Sequence, residues 1–462
     1  MKVKSFFWWL EAPNKIIWTP FWWLILLIVV FSVPVLRVWW WLIAPIILMV
    51  PLKTFYLWWI GWDFWYSNRK WSIIEIIPPK EILAPLSAME DVFNVVWSIH
   101  DKANWREIWC EGELPFGPEW CSWEIASIEG KVHFYIRCIS AHRHIIESVI
   151  YSHYPEIEII QTSDYTKNVP QNMPNEEWNL YGEDYLLAKD NALPIKTYTK
   201  FFEPQGERIS AEEKRIDPIV SMLEDMSLLG PGEQAWFQMV TTPIIDADLP
   251  WREEAKETIT KSSRRPVKIK RSWVQQLQEI ISTVVFGVFA PPAEGEEKYM
   301  PPAKTEGGEK EMILTPGERE TLTAIEDKIK KPAWKTTIRG LYIAKRSCYK
   351  GTSAKVIRAY FPHFGSSNLN FFRFSGNTRT KVHFAMRETR KRYRQRRIFQ
   401  FYVLRFPPSY PSLLGDGNSI LTSEELATIY HFPIKITGTS ISSMARVESK
   451  KGGPPANLPV EE

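Results

Sequence analysis

The N-terminal apolar run constrains this chain more than any other feature of the sequence. Residues 16–36 contain no charged side chain, and after Arg37 a second, tryptophan-rich stretch continues to position 62. A helix rises about 1.5 Å per residue, so a helix over residues 16–36 spans about 31 Å, close to the thickness of a bilayer hydrocarbon core. A cleaved signal peptide would have a shorter apolar region and a small-residue cleavage site. The run therefore predicts a transmembrane helix that remains in the protein.

The second stretch, residues 39–62, is interrupted by Lys53. It crosses the bilayer only if the Lys53 ammonium group extends to the headgroups, where its cost is far lower than at the bilayer centre. We expect residues 1–70 to form a hairpin of two transmembrane helices; the alternative is one span and an interfacial segment. Lysines before the hairpin, with Arg69 and Lys70 after it, favour two cytoplasmic ends and place the bulk of the chain on the cytoplasmic side of the inner membrane. The expected membrane-interface residues are Trp18, Trp22, Trp39, Trp40, Trp58 and Trp62.

The pattern after the hairpin predicts an α+β fold. The elements are a strand at 71–77, a helix from Ser87 with Glu90 at capping-box spacing, strands at 121–128 and 131–139 joined by Glu129-Gly130, a helix around 145–150 and a strand at 156–161. This order of elements predicts a ferredoxin-like, split βαβ domain over residues 71–163.

A second α+β domain is expected in residues 164–375. Asp217-Pro218 and Thr315-Pro316 have the N-cap and N1 spacing of helix starts. A loop rich in Pro, Gly and Glu, at about 290–312, has too little apolar surface to order itself and predicts a disordered insertion. The remaining residues, 376–462, are predicted to form a basic segment and a C-terminal connector.

No pattern for catalysis or cofactor binding is present in the sequence. No stretch fits the phosphate-binding GxxxxGK[ST] loop or the GxSxG elbow, and the four cysteines lack CxxC spacing. Asp246 with Asp248, and His142 with His144, are spacings more typical of solvated turns and surface side chains than of a metal site. The sequence therefore favours a non-enzymatic protein with no cofactor and no metal.

A short basic segment carries the excess positive charge. The whole chain has a net charge of +4, whereas residues 379–397 hold nine lysines and arginines and one acid, Glu388. Arginines bind phosphates in a forked geometry, and interleaved aromatic residues stack on bases. The alternatives are a solvated helix face, anionic lipid headgroups or a protein partner. The candidate nucleic-acid or anionic-lipid-binding residues are Arg387, Arg390, Lys391, Arg392, Arg394, Arg396 and Arg397.

Several longer motifs resemble those of a bacterial family. They are HFYIR at 133–137, YPEIEI at 154–159, DYTKNVPQNMPN at 164–175, RIDPIVSMLEDMSLLGPGEQAWFQ at 215–238, LTPGERE at 314–320, ILTSEELATIYHFP at 420–433 and VESKKGGPPANLP at 447–459. Together with the tryptophan-rich N-terminus, they resemble an uncharacterised domain family similar to the membrane-anchored N-terminal region of type IV secretion ATPases, which couple to conjugative DNA transfer. The last two motifs look like the connector that leads into a P-loop ATPase domain in fused members, and no P-loop follows them here.

The resemblance implies a non-enzymatic membrane anchor or adaptor of a type IV secretion-like DNA-transfer machine. Its expected partners are the membrane, a separate ATPase of the coupling-protein type, DNA and further copies of the chain. The alternative is a stand-alone, membrane-tethered nucleic-acid-binding protein without a motor partner.

Overall fold

A nine-stranded antiparallel sheet organises the part of the chain that the structure describes. This computed structural model describes residues 59–79, 82, 84–99, 101, 103–113, 120–201, 217–246, 249–262, 315–376, 378–383, 386–406 and 419–433, and scattered positions between 28 and 57. The strands are β1 Trp71–Ile77, β2 Cys121–Ile128, β3 Lys131–Ile139, β4 Glu158–Thr162, β5 Trp178–Leu187, β6 Glu233–Ile244, β7 Ala333–Lys345, β8 Phe372–Phe374 and β9 Ser419–Thr422.

Helices of varied length connect these strands. They are α1 Ser87–Trp97, α2 Arg143–His153, α3 Tyr198–Phe201, α4 Pro218–Ser227, α5 Trp251–Ser262, α6 Pro316–Lys330, α7 Val356–Tyr360, α8 Arg387–Leu404 and α9 Ser423–Ile429. Single π-helical or 3₁₀ turns lie at Gly61–Tyr66, Glu107–Glu111, Tyr165–Asn168, Ser353–Lys355 and Phe361–Phe364.

The strand order shows that the sheet has two topologically equivalent halves. The order is β4-β1-β3-β2-β6-β7-β5-β8, and β9 is added to β7. The first half, β4-β1-β3-β2, has the strand order of a split βαβ unit, and β8-β5-β7-β6 repeats that order in the second half. The halves join where β2 pairs with β6, from Cys121 opposite Thr241 to Ile128 opposite Gln234. Because this pairing is antiparallel and joins equivalent strands, it places the halves in a two-fold arrangement.

Different elements cover the two faces of the sheet. Helices α1, α2, α4, α7 and α9 pack on one face, over a core that includes Phe134 and Phe237. Helix α8 and the Tyr165–Asn168 turn cover the other face, over Trp236 and Leu341. All twelve residues of β6 are buried as a result, including polar residues that require partners inside the protein.

The predicted fold class was wrong. Among the described residues, no helix is long and apolar enough to cross a membrane, which contradicts both the transmembrane hairpin and the inner-membrane location. The strands expected to form two α+β domains lie in one sheet, because β2 pairs with β6 instead of ending the first sheet. Most of the two predicted spans, 16–36 and 39–62, and the whole predicted insertion at 290–312 lie outside the described residues.

Several predictions of local structure were confirmed. The strands β1, β2 and β3 have the bounds that their residue patterns predicted. The turn between β2 and β3 places Glu129 at φ 54° and Gly130 at φ 84°, as a two-residue hairpin loop requires. Asp217 caps α4 through its side chain, and Thr315 and Glu318 form the capping box of α6.

The capping box predicted at Ser87 was wrong. Leu86 is the N-cap of α1, and no side chain caps that helix. The Glu90 carboxylate accepts hydrogen bonds from the Tyr198 hydroxyl at 2.7 Å and from the Lys331 ammonium group at 2.8 Å. The Glu90 carboxylate, which would have accepted a hydrogen bond in a local capping box, is therefore bound by two residues that are distant in the sequence.

Residues 419–433, which include the connector-like motif, belong to the main core. Strand β9 pairs with Ala333–Thr336 of β7, and α9 buries Leu426 and Ile429. His431 then contacts Asp217 through Nε2 at 2.8 Å. Burial lowers the pKa of His431, but the charge of Asp217 and the hydrogen bonds outweigh this effect, so the pKa lies above its ordinary value.

Candidate nucleic-acid interface

Helix α8 carries the basic segment, and one of its faces is fixed to the sheet. Its sequence RETRKRYRQRRIFQFYVL places buried residues at helical spacing, namely Gln395, Ile398, Phe399 and Tyr402. The Gln395 amide donates hydrogen bonds to the Leu180 carbonyl and the Asn179 side chain of β5. Ile398 packs over Gly182, where an added Cβ would lie 3.1 Å from the Ile398 side chain. The opposite face of the helix is directed to solvent.

The C-terminal end of α8 is capped at every carbonyl group that the helix leaves unpaired. The last four carbonyls of an α-helix have no partner within the helix. Here Phe401 accepts from Arg339 at 3.0 Å, Tyr402 from Gln238 at 3.0 Å, Val403 from Arg405 at 2.8 Å and Leu404 from Tyr66 at 3.0 Å. Two of these donors are guanidinium groups, whose charge also complements the helix dipole. The helix is therefore fastened to β6, β7 and the Gly61–Tyr66 turn.

A buried ion network lies under this capped end. The Arg405 side chain is fully buried; its Nε and Nη2 donate to Glu124 of β2 at 2.9 and 3.1 Å, and its Nη2 donates to Asp164 at 2.9 Å. Glu124 also accepts from the Tyr165 hydroxyl at 2.7 Å and from Gln238 at 3.0 Å. Burial raises the pKa of Glu124, but Arg405 outweighs it, so the pKa lies below its ordinary value. The network stays ionised near neutral pH.

The N-terminal two-thirds of α8 presents a set of cations. Arg387, Arg390, Arg392 and Arg396 are exposed, and Lys391, Arg394 and Arg397 are half-buried. Glu388 is the one acid in the helix, and it lies 3.7 Å from Arg387 and 4.0 Å from Lys391. All seven predicted binding residues thus lie on one helix.

Arg394 and Arg397, two of the predicted residues, make contacts that support the local structure. The Arg394 guanidinium donates to the carbonyls of Gly376 at 3.0 Å and Arg379 at 2.8 Å, which ties the segment after β8 to α8. Partial burial and then the charge of Arg390 lower the pKa of Arg394. Arg397 donates to the Tyr393 hydroxyl at 2.5 Å and lies over the Phe401 ring at 5.0 Å. These two arginines orient the helix and its exposed aromatic ring.

The spacing of the cations along α8 is electrostatically unfavourable for the isolated protein. Like charges four residues apart occur at Arg387 with Lys391, Arg390 with Arg394, and Arg392 with Arg396, each costing about 0.2–0.5 kcal/mol. Cations in the first turn also oppose the helix dipole, by about 0.3–1 kcal/mol at an exposed site. A bound polyanion would offset both the repulsion between the cations and their unfavourable interaction with the helix dipole.

The anchoring residues of α8 were not identified from the sequence. Arg339, Gln238 and Tyr66 lie in three other segments, and Arg405 is 281 positions from Glu124. One signal was present: Glu124 lies between Trp123 and Ile125 in a strand whose other polar residues are two serines, and a carboxylate buried there requires a cationic partner. Two further exposed cations, Arg373 and Lys381, lie beside the segment that Arg394 holds.

The other predicted site residues do not come together. Trp39 and Trp40 are about half exposed, at 51% and 50%, whereas the side chains of Trp18, Trp22, Trp58 and Trp62 lie outside the described residues. The Asp246 carboxylate pairs with Arg252 at 2.9 Å. Within the described part of the chain, no group of His, Cys, Asp and Glu side chains could hold a metal ion.

Comparison with known protein families finds no matching family model, and no curated protein sequence matches the chain. The resemblance of the sequence motifs to secretion ATPases stays a prediction. The geometry of α8 is therefore the basis for the function proposed below.

Proposed function

We propose that this protein binds nucleic acid through the exposed face of α8 and catalyses no reaction itself. The observation that carries the proposal is a helix with seven cations and a single acid, Glu388, which lies within 4.0 Å of Arg387 and Lys391 and leaves the helix strongly positive. Arginine side chains are the main phosphate ligands of nucleic-acid-binding proteins. The capped C-terminal end fixes the backbone of the helix that carries these cations, which limits the backbone entropy lost on binding.

The test removes two exposed cations and measures the salt dependence of binding. The variant Arg392→Ala/Arg396→Ala is compared with the parent by fluorescence anisotropy on a labelled oligonucleotide over a range of salt concentrations. Each phosphate contact releases counterions, so the slope of log affinity against log salt should fall by about 1 for each cation removed. The matched control is Arg319→Ala/Lys330→Ala, which removes two exposed cations from α6 and should leave the slope unchanged.

Binding to lipid vesicles tests the alternative that the ligand of α8 is anionic lipid. If the parent binds vesicles containing phosphatidylglycerol, shows no oligonucleotide binding at low salt, and loses vesicle binding in the Arg392→Ala/Arg396→Ala variant, then α8 recognises anionic lipid and the proposal is wrong. Equal oligonucleotide binding by parent and variant would also contradict it.

A second candidate function is that of an adaptor that docks a separate ATPase of a DNA-transfer machine. The motif at 420–433 supports it, together with the burial of β9 and α9 in the main core, since a partner bound beside this motif would be held rigidly against the sheet. The test is whether the purified protein forms a complex with the ATPase encoded next to it and changes its rate of ATP hydrolysis. Absence of both effects would exclude the adaptor function.

A further inference from the structure

Tyr393 is an exposed aromatic residue at the centre of the cationic face of α8. Its side chain is 56% exposed. Arg397 donates to its hydroxyl group at 2.5 Å and lies 5.8 Å from its ring centre. Because Arg397 is itself packed over Phe401, the tyrosine is held at its hydroxyl end while much of the ring stays open to solvent.

Two exposed cations lie near Tyr393 in the helix. Arg392 precedes Tyr393 directly, and Arg396 follows it by three residues, one helical turn away on the same side. Both arginines are exposed. The arrangement thus combines one aromatic plane with two groups that bind phosphate.

A second exposed aromatic ring lies on the segment that α8 holds. Phe374, at the end of β8, is 41% exposed, and its ring centre lies 4.4 Å from the Arg379 guanidinium and 4.8 Å from that of Arg358. The Arg379 carbonyl is one of the two that Arg394 of α8 binds. Aromatic rings beside cations therefore lie on both of these adjoining segments.

We infer that the ligand of α8 is single-stranded nucleic acid, with Tyr393 as the surface on which an unpaired base stacks. This inference rests on the proposed function and specifies its ligand. In a duplex the faces of each base are covered by neighbouring pairs, and proteins reach only the base edges and the backbone. An exposed aromatic ring between phosphate-binding arginines offers an extra contact only to a strand whose bases are unpaired. The ring has no hydrogen-bond pattern to read, so binding tolerates different sequences.

The experiment compares one single strand with its duplex. The full chain and its variants Tyr393→Ala, Tyr393→Phe and Arg392→Ala/Arg396→Ala are titrated against an oligonucleotide of about 20 nucleotides, with and without its complement. Loss of base stacking should weaken single-strand binding by Tyr393→Ala at least about fivefold, with less than a twofold effect on the duplex. Tyr393→Phe keeps the ring and should bind the single strand as the parent does. Thermal unfolding confirms that each variant is folded.

The outcomes separate the inference from the proposed function. If the double arginine variant weakens binding of both ligands but Tyr393→Ala changes neither, or changes both equally, the single-strand inference is wrong and the nucleic-acid function stands. If Tyr393→Phe loses as much affinity as Tyr393→Ala, the tyrosine only positions Arg397, and the inference is wrong again. If the double arginine variant changes no binding, the proposed function itself is overturned.

Discussion

Arg405 shows how one residue connects distant parts of this chain. It adopts a left-handed backbone conformation, with φ 52°, which costs a residue with a side chain about 1–2 kcal/mol. The guanidinium group is fully buried between Glu124 and Asp164, and charge-assisted hydrogen bonds of this kind are about twice as strong as neutral ones. The contacts of the side chain therefore outweigh the strain of the backbone.

Replacing Arg405 should destabilise the protein strongly. Arg405→Met keeps the side-chain volume but leaves the buried Glu124 and the partly buried Asp164 carboxylates without their cation, and the free energy of unfolding should fall by about 3–5 kcal/mol. Urea unfolding followed by far-UV circular dichroism measures this change. The exposed Arg392→Ala change on the same face of the molecule should alter it by less than about 0.5 kcal/mol. A loss below about 1 kcal/mol for Arg405→Met would show that the network contributes no net stability.

Helix α8 has two ends of opposite character. At the N-terminal end, Met386 is the N-cap in a left-handed conformation with φ 51°, and no side chain caps the helix. At the C-terminal end, side chains from β6, β7 and the Gly61–Tyr66 turn bind the terminal carbonyls. The charges at the C-terminal end stabilise the helix, whereas the cations of the first turn oppose its dipole and belong to the proposed binding surface.

An acidic residue at the start of α8 should make the protein more stable and weaken ligand binding. Arg387→Glu places a carboxylate in the first turn and opposite Lys391 one turn later, so the free energy of unfolding should rise by about 0.5–1 kcal/mol. Oligonucleotide affinity should fall in the same variant, because one phosphate ligand is replaced by a like charge. Thermal unfolding and anisotropy measure the two effects, with Arg387→Ala as the intermediate case. A variant that is less stable than Arg387→Ala would contradict the electrostatic account.

Elements determined by local patterns could be predicted from the sequence, and those determined by long-range pairing could not. A β-branched run closed by prolines was sufficient for β1, alternation and turn chemistry were sufficient for β2 and β3, and the caps at Asp217 and Thr315 follow from adjacent residues. No local feature of the sequence predicts the pairing of β2 with β6, since the alternation of residues in β2 is equally consistent with an edge strand. For α8 the cations were evident, but three of the four groups that cap its C-terminal end come from segments more than sixty positions away. The candidate surface was therefore predicted without the anchor that fixes it.

At the scale of the whole molecule, the junction between β2 and β6 joins the two halves of the sheet. The paired residues of β2 and β6 are covered on both faces, so separating the halves would expose two long strand edges and the core beneath them. An exposed edge of this kind is also a template for aggregation. The halves are consequently expected to unfold together.

Unfolding should be a single transition for both halves. Hydrogen exchange of peptides from β1 to β3 and from β5 to β7 should report the same midpoint in urea, and Phe134→Ala in the first half should shift both midpoints equally. Phe134 is fully buried, so its truncation should cost about 3–5 kcal/mol. Protection that persists in β5 to β7 after it is lost in β1 to β3 would show that the halves unfold independently.

The capped end of α8 also determines how the molecule would respond to tension. A polymer bound to the exposed arginines and drawn away from the protein pulls on the helix, and the Gln238 and Arg339 side chains at its C-terminal end pass this load to β6 and β7. Those two strands pair over twelve consecutive positions, so the load is distributed over a long ladder of hydrogen bonds instead of a single contact. The contacts that fix the proposed binding surface in place would thus also carry a mechanical pull to the centre of the sheet.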